Sequence, residues 1–347
     1  KPPVFSAHIK LKNIEVTDVM VINNFLGATM TNTPNINSYS ENEILFAVEN
    51  FINNVFMTGL KQFQKQELKM LLEQFDTIYD IDHYYSDYIA AFNKLKFFIQ
   101  QNHFDWSINQ GDKYDFVLDF KDEQLEFYEQ MLKMLKGEIE QDLHQFRVQE
   151  RNNKESLLEY VEDLFNHYSK ILIVRVDLGY LNDSKQQVNI DQFYRHLEIM
   201  RNRLSNQDTF FRNLHGYSWA IEQGKERGYH VHLLLIYDGT KVQNGSYYAQ
   251  RVGEKWQEIT QGMGSYFNLH NREYIHELRM AGCDIGIGMV SRNNEGDWER
   301  LLTVIEYLVD PAKDAQRLRV KCLKNMQTFG HGQFENTKRR GIKNSLS

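Results

Sequence analysis

The chain has 347 residues, 41% hydrophobic and 25% charged, with a formal net charge of -7. That balance belongs to a globular protein with a sizeable core and excludes a collagen-like, disordered or coiled-coil chain. Its two cysteines, Cys283 and Cys322, lack disulfide or metal-ligand spacing and point to a reducing compartment such as the cytoplasm; no apolar run reaches the roughly 18 residues of a bilayer span, so no membrane partner is expected.

Charge is unevenly placed. Residues 1–169 carry 27 acidic against 15 basic side chains, whereas residues 311–347 carry nine basic and two acidic ones. A nucleic-acid footprint can be local in this way, and the C-terminal segment is where to look for one.

In chain order, residues 1–40 alternate short apolar pieces with Asn, Thr and Ser and read as an extended arm or linker. Ser40 followed by Glu43 forms a capping-box pattern, and Ile44, Leu45, Val48, Phe51, Ile52 and Val55 repeat at helical spacing behind it. Further helices are expected over about 60–76, 84–101, 123–148 and 153–169. Residues 41–169 thus form a mainly helical module, and its aromatics at helical spacing (Tyr84, Tyr85, Tyr88, Phe92, Phe97, Phe98) are expected in its core.

The period changes at Lys170. Leu172, Val174, Val176 and Leu178 share one face of a strand, while Ile171, Ile173, Arg175 and Asp177 share the other. A helix over 191–204 follows, then strands over 215–223 and 229–237, a helix over 247–261, short strands near 265–269 and 286–291, and a helix over 297–309. Strand, helix, strand, strand, helix, strand is the split βαβ order of ferredoxin-like folds. The expectation is an α+β chain: a helical module, then an antiparallel sheet over 170–335 with helices on one face and the other free for chemistry, then a basic tail over 336–347.

His230-Val231-His232 turns two imidazoles to one strand face. If Gly224 to Gly228 is a five-residue hairpin connection, Gln223 lies opposite Tyr229, Glu222 opposite His230 and Ala220 opposite His232. Glu222, His230 and His232 then converge as metal ligands, with small Ser218 and Ala220 leaving room for substrate. Two imidazoles and a carboxylate suit Zn, Mn or Fe by ligand type, and open positions for water and phosphate oxygens suit a divalent Mg or Mn ion.

On the helix over 297–309, Trp298, Leu301, Leu302, Ile305, Leu308 and Val309 form the apolar stripe. Tyr307 lies nearly opposite, with Arg300 and Thr303. A phenol in that position, beside a metal site, can attack a phosphodiester and become covalently linked to phosphate, with Lys313 stabilising the developing charge.

Taken together, Val174-Arg175-Val176-Asp177, Gly228-Tyr229-His230-Val231-His232, Tyr307-Leu308 and Thr328-Phe329-Gly330 resemble the replication proteins of filamentous (inovirus-type) phages, shared with the YagK/YfjJ C-terminal domain, within the HUH single-strand endonuclease superfamily. The resemblance covers roughly residues 165–335. It implies a ferredoxin-like HUH nuclease domain that nicks single-stranded or melted origin DNA, leaving a 5′-phosphotyrosine link and a free 3′-hydroxyl for rolling-circle replication in the bacterial host cytoplasm, with a host helicase or polymerase as further partners. Carried over, Glu222, His230 and His232 are the metal ligands and Tyr307 the nucleophile. Many relatives carry a Lys three residues after the Tyr; here that position is Asp310, and Lys313 lies three further on. DNA contacts are expected from Arg175, Asp177 and Arg300, and from the basic segment Arg317, Arg319, Lys321, Lys324, Lys338, Arg339 and Arg340. A transposase or relaxase of the HUH type, a non-cleaving DNA-binding regulator and a Zn-dependent hydrolase remain alternatives.

Overall fold

A computed structural model describes residues 39–102, 113–280, 286–294, 296–310 and 313–334. Most of the arm expected over 1–40 and the whole tail expected over 336–347, with Lys338, Arg339 and Arg340, lie outside these residues, as does Cys283. The fold is α+β, with a helical N-terminal part and an antiparallel sheet in the C-terminal region.

Helix α1 (Glu41–Thr58) begins where the capping box places it. Glu43 N–H donates to Ser40 Oγ at 3.2 Å and Ser40 N–H donates to the Glu43 carboxylate at 2.9 Å. Its apolar stripe is fully buried against α2 (Lys65–Ile78) and, beyond the two-residue strand β1 (Tyr84–Tyr85), α3 (Asp87–Asn102). Of the aromatics expected in this core, Tyr88 and Phe92 are buried, but Tyr84, Phe97 and Phe98 stand on the surface.

Helices α4 (Asp122–Met134) and α5 (Lys136–His167) replace the two expected over 123–148 and 153–169. The break falls at Leu135, and α5 runs unbroken through Asn152-Asn153. Asn153 donates to Glu150 and accepts from Gln149, both at 2.9 Å, so its amide is engaged with neighbouring side chains and does not compete for the helix backbone.

The sheet follows as β2 (Lys170–Tyr180), the single turn α6 (Asn182–Lys185), α7 (Ile190–Asn206), β3 (Leu214–Gly224), β4 (Gly228–Asp238), α8 (Gly245–Ile259), β5 (Gly264–Asn268), α9 (Arg272–Met280), β6 (Gly288–Ser291), α10 (Gly296–Leu308), β7 (Val320–Lys321) and β8 (Phe329–His331). The strand order is β5-β2-β4-β3-β8, with β6 on the other end of β2 and every pair antiparallel. Strand β7 leaves the sheet and pairs with β1.

One sheet face buries Val174, Val176, Leu178, Trp219, Val231, Leu233 and Leu235 beside Phe193 and Leu197 of α7 and Val252 and Trp256 of α8. The other face is not free for chemistry, contrary to the expectation above. Ile171, Ile173, Leu234 and Ile236 pack there with Leu157, Val161 and Leu164 of α5 and Leu301, Val304, Ile305 and Leu308 of α10. The unbroken apolar run Leu233 to Tyr237 reflects this: a strand covered on both sides loses its polar alternation. The hairpin end of that face carries the polar side chains Glu222, His230, His232 and Asp177.

A buried ionic cluster ties the helices to this end of the sheet. Glu49 of α1 receives Arg317 Nη2 at 3.1 Å, and Arg319 Nε lies 2.6 Å from its other oxygen, an ion pair outside hydrogen-bond angles. Burial pushes the Arg319 pKa down to about 10. Arg319 N–H also donates to Gln223 at 2.8 Å, and Gln223 donates to Asn42 at 3.0 Å. Glu49→Ala leaves two guanidinium groups buried without their carboxylate and is expected to cost about 3–5 kcal/mol in urea unfolding, with Glu49→Gln losing less. A loss below about 1 kcal/mol would show that the cluster is solvated.

Candidate metal centre and tyrosine site

The hairpin between β3 and β4 fixes the centre. The pairs Gln223–Tyr229, Glu222–His230 and Ala220–His232 form as the sequence predicts, but the strands extend to Gly224–Gly228, leaving the three-residue loop Lys225-Glu226-Arg227. Gly228 has φ 67°, a left-handed conformation that glycine adopts without a Cβ penalty. On the other side β2 places Asp177 directly opposite His232. Three adjacent strands therefore present Asp177, the two histidines and Glu222 on one face, Asp177 beside His232 and Glu222 beside His230.

Each imidazole is oriented from behind. His230 Nδ1–H donates to the Gly228 carbonyl at 3.0 Å, leaving Nε2 with a lone pair. His232 Nδ1 lies 2.6 Å from Asp177 Oδ1, a contact that places a hydrogen on Nδ1 and directs Nε2 towards Glu222. Arg175 Nη2 approaches the same Nδ1 at 3.2 Å and Asp177 Oδ1 at 3.3 Å; with the proton on Nδ1, its productive partner is the carboxylate. The two Nε2 atoms stand 3.2 and 3.0 Å from Glu222 Oε2.

Glu222, His230 and His232 are all buried, and their ligand atoms lie within 4.8 Å of one another. Three electron-pair donors converging in a desolvated place fit a divalent cation, and a carboxylate or carbonyl behind each histidine is the usual support of such a ligand. Burial lowers the His230 pKa, which favours the neutral, ligating ring. Burial alone would raise Glu222, but His232, His230 and Lys313 hold it well below the usual carboxylate range. The donor set admits Mg, Mn or Zn.

Asp177 is likewise held far below the usual range, the charges of Arg175 and His232 outweighing its desolvation. Asp177→Asn keeps the shape but offers His232 a neutral partner; metal affinity, read by titration with Mn, is expected to fall about 10–100-fold. Unchanged affinity would mean that Asp177 does not set the His232 tautomer.

Tyr307 joins this centre. Its ring centroid lies 6.3 Å from that of His232 at 83°. The Arg175 guanidinium lies 3.9 Å from the ring centre and the Lys313 ammonium 4.4 Å. Lys313 Nζ donates to Glu222 Oε1 at 3.0 Å and to the Tyr307 carbonyl at 2.9 Å. Despite its unusual spacing, Lys313 thus stands between Glu222 and Tyr307.

Among the described residues, the remaining expected DNA contacts are not gathered into one basic surface. Arg175 and Asp177 are buried beneath His232 and Tyr307, and Arg317 and Arg319 are buried on Glu49, so none of the four presents its charge to solvent. Arg300 donates to Asp297 and to the Ile287 carbonyl, both at 3.1 Å, and braces the start of α10. Lys321 is half-buried on β7, where desolvation lowers its pKa; Lys324 is exposed. Ser218 and Ala220 do not leave substrate room: both are buried, and Ser218 donates to the Gly330 carbonyl of β8 at 3.0 Å.

Two side chains here escape sequence reasoning. Glu150 of α5 interacts electrostatically with Glu222, Lys313 and Asp310, and burial pushes its pKa up to about 7. Nothing in a helix more than seventy residues upstream signals that placement. Arg227, exposed in the hairpin loop, approaches Asp177 at 3.7 Å.

Residues 147–331, just over half of the chain, match the YagK/YfjJ C-terminal domain. The chain belongs to the YagK/YfjJ C-terminal domain family. No curated protein and no solved structure matches it. The YagK/YfjJ region starts within α5, upstream of the boundary near 165 expected from the motifs, and so includes Glu150 and the part of α5 that covers the sheet. It ends at His331 in β8, and thereby encloses the whole candidate metal centre, Tyr307 and Lys313. No helix among the described residues is long and apolar enough to cross a membrane.

Proposed function

We propose that the protein is a metal-dependent single-strand DNA endonuclease of the HUH type that acts as a replication initiator. The observation that carries this reading is the tyrosine set against the triad, with Tyr307 beside His232 and flanked by two cations. A hydrolase that activates water has no need of a phenol there. The strand order β5-β2-β4-β3, joined by α7 and α8, supports a ferredoxin-like core, since it is the antiparallel split βαβ arrangement.

In this reading Glu222, His230 and His232 hold a divalent Mg or Mn ion, whose contribution is to polarise the phosphoryl oxygens and align the ester. Tyr307 Oη gives up its proton and bonds to phosphorus, the bond from phosphorus to the 3′ oxygen breaks, and that oxygen takes up a proton. The products are a 5′-phosphotyrosine and a free 3′-hydroxyl, which in an origin would prime rolling-circle synthesis. Arg175 and Lys313, on the ring of Tyr307, bring positive charge beside the reacting phosphate. Asp177 and the Gly228 carbonyl orient the two histidines.

The test is a covalent adduct. Full-length protein is incubated with Mn and labelled single-stranded DNA, then denatured, and a retained label is mapped by mass spectrometry. The expected adduct is on Tyr307. Product without adduct would assign the centre to water activation, and strand binding without cleavage under Mg, Mn and Zn would assign it to a regulator.

A further inference from the structure

The hairpin loop that carries His230 has a second side. Lys225, Glu226 and Gly228 border a cleft of about 350 Å³ whose other walls come from α1, α2 and the end of α6. That size is within the range of small-molecule sites, roughly 300–1,000 Å³. Phe46 lines it, together with the amides of Asn50, Gln74 and Gln186 and the ammonium groups of Lys185 and Lys225.

The chemistry of this lining is selective. The neighbouring Asn42 is fully engaged, donating to the Gly224 and Lys225 carbonyls and accepting from Gln223. The Asn50, Gln74 and Gln186 amides have no protein partner among the described residues. Each amide offers donors and an acceptor on one planar group, the complement of a base edge; the Phe46 ring beside them carries the Arg319 guanidinium 3.5 Å from its centre, which leaves its opposite face for a base. The two lysines are balanced by Glu43 and Glu226, so the cleft suits one base with its phosphate at the rim rather than a polyphosphate.

Position connects the cleft to the metal centre. The Gly228 carbonyl on its border accepts the His230 Nδ1 hydrogen, and exposed Arg227 of the same loop reaches Asp177. We propose that the cleft binds one unpaired nucleotide of the DNA strand, flanking the phosphodiester held at the centre, with its base against Phe46 and its edge on the three amides. This rests on the strand-cleavage reading and gives the helical half a role: α1 and α2 supply most of the nucleotide site.

The test uses the full chain with Mn and a mixed-sequence single-stranded oligonucleotide carrying 5-iodouracil. Ultraviolet crosslinks are expected in the peptide containing Phe46. The Asn50→Ala/Gln186→Ala variant, altered only at exposed side chains, is expected to bind the strand about fivefold or more weakly, with Mn affinity unchanged. Crosslinks confined to other peptides, with equal strand affinity in the variant, would overturn the inference while the Tyr307 adduct still forms. Mixed free deoxynucleoside monophosphates that compete as well as the strand would also overturn it, assigning the cleft to a free nucleotide. If the unaltered protein neither binds the strand nor forms an adduct, the cleavage reading itself fails.

Discussion

Tyr307→Phe is expected to fold normally, bind Mn and single-stranded DNA as before, and form no covalent DNA adduct. The change removes one oxygen from a ring that sits outside the apolar stripe of α10, where Leu301, Val304, Ile305 and Leu308 do the packing. The ring remains for Arg175 and Lys313 to contact. What is lost is the only atom that bonds to phosphorus in the proposed reaction, and removing a nucleophile typically costs roughly 10⁴-fold or more in rate. Denaturing electrophoresis after incubation with labelled DNA reads this directly. An adduct of undiminished yield in Tyr307→Phe would place the nucleophile elsewhere.

Glu222→Ala has the second largest expected effect, and on a different quantity. The carboxylate is the shared neighbour of both Nε2 atoms through Oε2 and of Lys313 through Oε1. Without it two imidazoles and an ammonium group face the same place with no carboxylate among them, a poor site for a cation. Mn affinity is expected to fall by more than the roughly 10–100-fold of an outer-shell change, while strand affinity changes far less. Equal losses in both would mean that Glu222 shapes the DNA site rather than the metal site.

The contrast between these residues and the basic segment shows what the sequence can disclose. The triad was readable because a short hairpin couples loop length to register, so a few residues of local chain decide which side chains meet. Tyr307 was readable from its place off a helical stripe. Arg317 and Arg319 looked like phosphate contacts because charge in a sequence carries no sign of its partner; that partner, Glu49, lies 268 residues from Arg317. Asp177 was seen on the correct strand face, yet its role depends on β2 pairing with β4, a non-local fact. Glu150 and the covering of the second sheet face share that cause, since both follow from α5 running unbroken from the helical part to the sheet. The run Leu233 to Tyr237 did carry the signal of two-sided burial, and reading it as half-buried is what left that face open in the sequence-based expectation.

The central claim is that Glu222, His230 and His232 bind a divalent cation through the two Nε2 atoms. Crystals soaked in Mn and measured for anomalous scattering test it most directly. One peak is expected at bonding distance, about 2.0–2.3 Å, from both Nε2 atoms and a Glu222 carboxylate oxygen, with Asp177 hydrogen-bonded behind His232. Absence of a peak there, or a peak bound through Nδ1 of either histidine, would contradict it.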